Sequence, residues 1–180
     1  ISFSDIKALI GTCSDNNFDN FIKHNYPGSK YYITPSGRYA LFLLLKAINI
    51  NDKSRIGIPA YTCPSVTNVV KSFTEEIVFF DTDLTTLNVD LEEVIAKSKD
   101  LDYIIVNHNF GTSVDVEYLK SRLGNVKIIE DCAHAFKSKS GDTFAGNSGF
   151  ASTFSFNFGK PLSAGGGGMI LTKDKNLIHK

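Results

Sequence analysis

Short runs of β-branched and apolar residues alternate with helical patterns along most of the chain. Strands are predicted at 31–34, 55–58, 76–80, 102–106, 127–130, 151–154 and 169–171, and helices at 38–48, 66–72, 91–97 and 116–123. This alternation is typical of an α/β fold, in which a mainly parallel sheet lies between helices on both faces. The last two strands have no helix between them, so their glycine-rich link is compatible with one antiparallel pairing.

Composition and charge exclude several classes of partner. The 180 residues are 42% hydrophobic, and 19 basic side chains balance 19 acidic ones, so net charge gives no reason to expect nucleic acid or an anionic membrane surface as a partner. No apolar run approaches the roughly 18 residues of a membrane span. The cysteines Cys13, Cys63 and Cys132 are odd in number and scattered, which does not suggest a disulfide framework. These features favour a cytoplasmic protein.

The two ends of the chain suggest its division. Residues 1–30 are polar and are predicted to form an N-terminal arm with a short helix, and residues 31–180 are predicted to form the main domain. The chain starts without Met, and its last residues, 176–180, look cut rather than finished. We therefore expect it to be a piece of a longer protein.

An acid and a lysine follow two of the predicted strands. One strand leads into Glu130 and Asp131, and another leads into Ser155, shortly before Lys160 and a run of four glycines at 165–168. A pyridoxal 5'-phosphate (PLP) enzyme needs such a pair, because a carboxylate keeps the pyridine nitrogen protonated and a lysine amine binds the aldehyde covalently. Glu130 and Asp131 are not expected to act together, since neighbouring strand residues point to opposite faces.

The turn at residues 34–38 joins a predicted strand to a predicted helix. Ser36 can cap that helix, and the free amides and dipole of the helix can hold a phosphate. Plain helix capping is the alternative, and from this stretch alone it is the more common case. For the four glycines the alternative is a flexible turn, and without a following Lys-Ser or Lys-Thr they do not form a P-loop.

Histidines and cysteines give weaker signals. His134 follows Asp131 by three positions and could pack against a cofactor ring or hydrogen-bond its oxygen; a structural or simply exposed histidine is the alternative. His108, His134, Cys63 and Cys132 lack the spacing of zinc ligands, so no metal site is predicted.

Taken in order, several segments resemble the DegT/DnrJ/EryC1/StrS sugar aminotransferase family, whose members are PLP enzymes of fold type I. The matching segments are residues 36–41, 58–62, 81–90, 107–111, 129–135 and 154–160. The last two read IEDCAHA and FSFNFGK, similar to the family's I-E-D-A-A-Q-A and F-S-F-x-x-x-K. The resemblance implies an α/β fold, the large domain of a PLP-dependent transferase of fold type I with a mainly parallel sheet between helices, lacking the C-terminal small domain.

The resemblance also implies roles for individual residues. Lys160 would attach the cofactor and shuttle protons, and Asp131 would pair with the pyridine nitrogen; these two are the catalytic residues. The full set of implied cofactor-binding residues is Ser36, Gly37, Arg38, Cys63, Asp131, His134, Ser155 and Lys160. Within it, the turn at 36–38 and Ser155 would hold the phosphate.

Three positions depart from the family's usual residues. His134 stands where the family usually has Gln, near the ring and its phenolic oxygen, and unlike Gln it can titrate. Cys63 stands where many members have an aromatic side chain that stacks on the ring, and it offers less stacking surface. Arg38 replaces a more usual small hydroxyl residue in the phosphate turn.

The function that the resemblance implies is amino transfer from an amino acid, taken to be glutamate, to a keto sugar that is linked to a nucleotide. By the same analogy the protein would be a homodimer. A PLP-dependent sugar dehydratase is one alternative, although the members compared have His in place of Lys160. A non-catalytic PLP-binding regulatory protein is another. A nucleotide-binding α/β domain without PLP is the third, but the chain has no G-x-G-x-x-G after its first strand.

Overall fold

The computed structural model describes the backbone of residues 15–177 and the side chains of residues 18–177. Its helices are α1 (Asp15–Asn25), α2 (Gly37–Ala47), α3 (Pro64–Lys71), α4 (Leu91–Lys97) and α5 (Val116–Leu123), with a 3₁₀ turn at Asn109–Gly111. Its strands are β1 (Lys30–Thr34), β2 (Ile56–Pro59), β3 (Ile77–Phe80), β4 (Tyr103–Asn107), β5 (Lys127–Asp131), β6 (Lys139–Ser140), β7 (Thr143–Phe144), β8 (Ala151–Ser155) and β9 (Gly168–Thr172).

The main sheet has the strand order β1-β9-β8-β5-β4-β2-β3. The pairs from β8 through β5, β4 and β2 to β3 are parallel, and β9 is antiparallel to both β8 and β1. The predicted α/β fold with a mainly parallel sheet is therefore confirmed, as is the antiparallel pairing of the last two strands. The second antiparallel pair follows from the first, because the reversed strand β9 lies between two strands of the same direction.

Helices cover both faces of the sheet, as predicted. On one face Leu44 of α2 and Val70 of α3 belong to the same buried cluster as Ile129 of β5. On the other face Leu119 of α5 is buried together with Ile128 of the same strand. Side chains on a strand alternate between faces, so these two neighbouring isoleucines belong to different halves of the core.

Helix α1 packs on the sheet near its antiparallel end. Ile22 and Tyr26 are buried together with Phe154 of β8 and Met169 of β9. The predicted division of the chain at residue 30 stays a prediction, and Cys13, like the rest of residues 1–14, lies outside the described residues. None of the helices in the described part of the chain combines the length and the apolar content that crossing a membrane requires.

Most element bounds differ from the sequence predictions by one or two residues, and one hairpin is not predicted. Strands β4 and β5 each run one residue further than predicted, to Asn107 and Asp131, which brings both side chains into regular strand geometry. The small hairpin formed by β6 and β7 is absent from the predictions, because two-residue polar strands are too short to show an alternating pattern.

Candidate active site

The carboxyl ends of the parallel strands meet at one edge of the sheet, where ligands bind in α/β folds. Asn107 and Asp131 are register partners on β4 and β5 at this edge. Strand alternation places Asp131 on the face of Ile129, which is the face covered by α2 and α3. Ser155 ends the neighbouring strand β8 at the same edge.

A cavity of about 350 Å³ opens at this edge. The predicted residues that line it are Ser36, Gly37, Arg38, Cys63, Asp131, Ser155 and Lys160. A smaller cavity of about 60 Å³ adjoins the first and shares Cys63, Asp131 and Lys160 with it. His134 lines the smaller cavity. The structure therefore brings all of the predicted site residues to one place.

The N-terminus of α2 opens onto the larger cavity. Ser36 caps the helix by accepting a hydrogen bond on Oγ from the backbone N–H of Tyr39 at 3.1 Å. The first intrahelical bond runs from Ala40 N to Ser36 O, so the N–H groups of Gly37 and Arg38 precede it and lie free of the helix ladder. Capping and anion binding are thus compatible here. The Ser36 side chain binds the N–H of Tyr39, so the N–H groups of Gly37 and Arg38 remain available for an anion.

Close packing makes two glycines necessary beside this turn. A Cβ on Gly37 would lie 2.7 Å from Ser155 Cβ, so the helix can approach β8 only with glycine at its first position. A Cβ on Gly168 would lie 2.4 Å from the carbonyl carbon of Ser36. The turn is therefore held against β8 and β9 with no side chain between them, which is the kind of cradle that a phosphate needs for backbone contact.

Asp131 is a half-buried carboxylate at the base of the cavity. Its Oδ1 accepts a hydrogen bond from the N–H of Ala133 at 3.0 Å. Burial raises the pKa of Asp131 above its ordinary value, while the Ala133 N–H and the positive charge of Lys160 act in the opposite direction. A cationic N–H placed against this carboxylate would stabilise its charged form, which is the environment that a pyridinium nitrogen provides.

Lys160 is half-buried in the loop that follows β8. Its backbone N–H donates to Asn157 O, but its Nζ makes no hydrogen bond or ion pair with any residue between 18 and 177. Its charge nevertheless acts on Asp131, Cys63 and His134. The Lys160 amine, the Asp131 carboxylate and the N-terminus of α2 match the three functional groups of PLP. The unpaired amine suits the aldehyde, the carboxylate suits the ring nitrogen, and the helix N-terminus suits the phosphate.

His134 and Cys63 line the smaller cavity together with Asp131 and Lys160. Burial lowers the pKa of His134 and the charge of Lys160 lowers it further, whereas the charge of Asp131 acts in the opposite direction. Cys63 is exposed at the start of α3, where its Sγ accepts a hydrogen bond from Ser65 Oγ at 3.1 Å. That bond lowers the pKa of the Cys63 thiol, and the charge of Lys160 acts in the same direction.

A buried pair on the opposite face is absent from the sequence predictions. His108 Nε2 lies 2.9 Å from Glu130 Oε2, and both side chains are 1% exposed. His108 Nδ1 accepts a hydrogen bond from Val114 N, so the proton is on Nε2 and faces the carboxylate. The two residues are 22 positions apart, a spacing that only the adjacent register of β4 and β5 brings together.

The Glu130 carboxylate also fixes the loop that precedes β8. Its oxygens accept hydrogen bonds from the N–H groups of Gly146, Ser148 and Gly149. Burial opposes ionisation of Glu130, but the hydrogen bonds from His108 and from this loop lower its pKa below the ordinary value. Glu130 and Asp131 thus face different surroundings, as the sequence predicts.

Cys132 lies close to this pair, and the potential ligand atoms of His108, Glu130 and Cys132 are within 4.8 Å of one another. The spacing of cysteines and histidines in the sequence does not reveal this group, because Glu130 is part of it. Both carboxylate oxygens and both imidazole nitrogens are engaged in the hydrogen bonds described above, which account for the cluster without an ion.

The architecture and the site together define the large domain of a PLP-dependent transferase of fold type I. The chain belongs to the DegT/DnrJ/EryC1/StrS aminotransferase family, whose profile matches residues 15–180. The resemblance inferred from the sequence motifs is therefore confirmed.

Individual relatives agree with this assignment. GDP-perosamine synthase from Escherichia coli O157:H7 is 34% identical over 170 residues, which cover 91% of this chain and 46% of that protein. The spore coat polysaccharide biosynthesis protein SpsC from Bacillus subtilis is 33% identical over 144 residues, covering 78% of this chain and 37% of that protein. Among solved structures, an aminotransferase from Psychrobacter cryohalolentis has a TM-score of 0.84 at 24% identity, with 98% of this chain and 49% of that chain covered. The chain thus spans less than half of the length of these relatives.

Proposed function

We propose that the protein is a PLP-dependent aminotransferase that moves an amino group from an amino acid, glutamate, to a nucleotide-linked keto sugar. One observation supports this above the others: the amine of Lys160 has no hydrogen-bond or ion-pair partner among residues 18–177 and lies in a cavity shared with Asp131 and the N-terminus of α2. Membership of the family and the name of the perosamine synthase relative support the reaction and the sugar substrate.

Different residues around the cavity would bind different parts of the cofactor. The amides that lead α2, together with Ser36 and Ser155, would hold the phosphate, and Asp131 would pair with the ring nitrogen. His134, whose pKa is lowered by burial, would lie near the ring oxygen. Bound PLP supplies an electrophilic aldehyde and an electron sink for charge at the carbon that loses its proton.

Lys160 and Asp131 would perform the proton chemistry of amino transfer. Lys160 Nζ would hold the cofactor between turnovers and, once released, accept the proton from the α-carbon of the amino donor and return it to the product. Its lack of a partner leaves the amine free to do both. Asp131 would remain ionised because the Ala133 N–H and a cationic partner both favour its charged form.

Two other features of the protein belong to the proposal. We expect a homodimer, by analogy with fold type I enzymes, whose sites form between subunits. We also expect a cytoplasmic enzyme, because the formal net charge is zero and the sequence suggests no disulfide framework.

The first experiment is an absorbance spectrum of the purified protein with added PLP, before and after glutamate. We expect a visible band that free PLP lacks, and we expect glutamate to bleach it. In a sample without glutamate, borohydride reduction should fix the cofactor on the peptide that contains Lys160, as mass spectrometry would show. Lys160→Ala should lose the band, whereas Lys71→Ala, an exposed lysine on α3, should keep it.

The other outcomes separate the alternatives. A band that neither glutamate nor other amino donors change would favour a non-catalytic PLP-binding protein. Release of a sugar hydroxyl without gain of an amine would favour a dehydratase, which the lysine at position 160 argues against. The absence of any band would refute the assignment of Lys160 and Asp131.

A further inference from the structure

Two exposed aromatic rings, Tyr61 and Phe110, belong to residues that adjoin Thr62 and Asn109, which line the smaller cavity. Tyr61 is 51% exposed and Phe110 is 62% exposed, and their ring centroids are 6.5 Å apart. The Phe110 ring also meets the His134 ring edge-on at 5.9 Å. Because His134 lines the same cavity as Lys160, the rings form a continuous row from the cavity to the solvent. We call Tyr61 and Phe110 the aromatic platform.

The backbone of Phe110 is strained. Its φ of 52° and ψ of 27° place it in the left-handed region of backbone conformation. Glycine adopts this region easily, but residues with bulky side chains rarely do. Such strain persists only where the surroundings impose it, and it is concentrated at functional sites. An exposed ring gains little hydrophobic stabilisation in return, so the core does not explain this conformation.

Buried amides impose the conformation. Asn88, which is 4% exposed, accepts a hydrogen bond from Asn109 N at 2.7 Å and donates one to Thr112 O at 2.9 Å. These two bonds clamp the chain on both sides of Phe110. Asn107 Nδ2 donates to Tyr61 O at 3.2 Å and to Asn109 Oδ1 at 2.6 Å, so one amide ties the loop of Tyr61 to the turn of Phe110.

The remaining atom of that amide has no partner. Tyr61 O can only accept, which fixes the orientation of the Asn107 amide and leaves its Oδ1 on the other side. Asn107 is 6% exposed and lines the smaller cavity, and its Oδ1 has no hydrogen-bond partner among the described residues. A buried acceptor without a donor is unfavourable. The smaller cavity therefore has an unpaired acceptor, Asn107 Oδ1, close to the exposed rings of the aromatic platform.

We propose that the aromatic platform stacks against the nucleobase of the nucleotide-linked sugar. This inference rests on the proposed function. The keto carbon of the sugar must reach Lys160, so the sugar ring occupies the cavities, and the nucleotide extends past His134 to the platform. Every nucleobase has a flat π-face that stacks on an aromatic side chain. Two rings also suit a single base better than a protein partner, since stable protein interfaces bury about 800 Å² on each side.

The experiment compares ligands with and without a base. The affinities of GDP, UDP, dTDP and pyrophosphate for the PLP-loaded protein are measured by calorimetry. In the wild type at least one nucleotide should bind more tightly than pyrophosphate. Phe110→Ala and Tyr61→Ala should each lower the affinity for that nucleotide on the order of 10-fold. The affinity for pyrophosphate should not change. Phe110→Tyr, which keeps a ring, should retain wild-type affinity.

A matched control is Phe79→Ala, because Phe79 is an exposed aromatic, 44% exposed, on the edge strand β3. It should leave all four affinities unchanged. The proposal would be overturned if no nucleotide bound more tightly than pyrophosphate. It would also be overturned if the platform variants lowered the affinities for nucleotide and pyrophosphate equally. Platform variants that dissociate the protein into monomers at unchanged nucleotide affinity would overturn it too, since the platform would then be a subunit contact.

The glutamate response of the PLP band is recorded for every variant. It should stay as in the wild type for Phe79→Ala, because Phe79 lines neither cavity. If the wild type itself shows no response, the proposed amino transfer fails, whereas the nucleotide affinities test the platform separately.

Discussion

Glu130 and Asp131 are adjacent acids in very different surroundings. The alternation of β5 sends Asp131 toward the cavity, where burial raises its pKa, and sends Glu130 into the opposite side of the sheet, where hydrogen bonds lower its pKa despite burial. The Asp131 carboxylate would be stabilised by a cationic partner. The Glu130 carboxylate already accepts hydrogen bonds from His108 and from loop amides. Substitutions at the two positions should therefore affect different properties.

Asp131→Asn should retain part of the PLP binding and lose most of the amino transfer. The amide keeps the shape of the carboxylate but cannot hold a proton on the ring nitrogen by charge, so the electron sink is weakened. Single-turnover bleaching of the PLP band by glutamate measures the effect, with Asp142→Asn on the exposed loop as the control. An unchanged rate would remove Asp131 from this role.

Glu130→Gln should destabilise the fold by about 1–3 kcal/mol, as expected when buried donors lose a charged acceptor. The reason is that His108 loses its charged partner and the loop amides lose a charged acceptor. Urea unfolding at pH 7 measures the difference. The control is Glu117→Gln, an exposed acid paired with Lys120, which should change the free energy of unfolding by at most about 1 kcal/mol.

The same pair predicts the direction of a pH effect. The pKa of Glu130 is lower in the folded protein than its ordinary value of 4.5, so its stabilising contribution is complete above that value. It is lost as the pH falls through the folded pKa. The stability gap between the wild type and Glu130→Gln should therefore be constant near neutral pH and narrow in acid; a gap that widened in acid would contradict the assigned direction.

Among the elements, those with long periodic patterns were predictable from the sequence. The run that leads into Asp131 is typical of a buried strand, and parallel strand ends share one edge, so the pattern predicts that the ends of these strands lie close together. The resemblance to the family then assigns Asp131 and Lys160 to one site, and both line the same cavity. His108 and Glu130 could not be paired in this way, because their contact depends on the register of β4 against β5. Phe110 gave no signal either, since neither its exposure nor its left-handed backbone is encoded in a local pattern.

The contact between β9 and the start of α2 yields a prediction for the glycine run. Gly168→Ala would place a Cβ 2.4 Å from the carbonyl carbon of Ser36 and 2.5 Å from Gly37 N, and backbone atoms cannot move aside as a flexible side chain can. We expect a loss of stability of about 1–3 kcal/mol, as for other overpacked sites. Because the displaced turn carries the amides that we propose to hold the phosphate, PLP affinity should fall as well, which an absorbance titration measures.

Gly166→Ala in the same run is the matched control. A Cβ there would meet no atom within 4 Å, so both stability and PLP affinity should stay near those of the wild type. Equal effects at the two positions would mean that the run acts through its flexibility, and that the contact between Gly168 and the Ser36 turn does not govern the site.

At the scale of the whole molecule, the functional groups gather at one edge of the sheet and face outward. Arg38 and Cys63 of the larger cavity are exposed, and the platform residues Tyr61 and Phe110 continue this open rim. The side chains of His108 and Glu130, by contrast, are both only 1% exposed. The open side is where a second subunit would complete the site, as fold type I analogy suggests.

Sedimentation velocity tests that expectation. We predict a species with twice the mass of the single chain that is studied. If the second subunit covers the open rim, PLP affinity should fall when the protein is diluted below the concentration at which the dimer dissociates. A monomer that binds PLP equally well at every concentration would show that one chain carries a complete cofactor site, and the homodimer would then have no part in forming it.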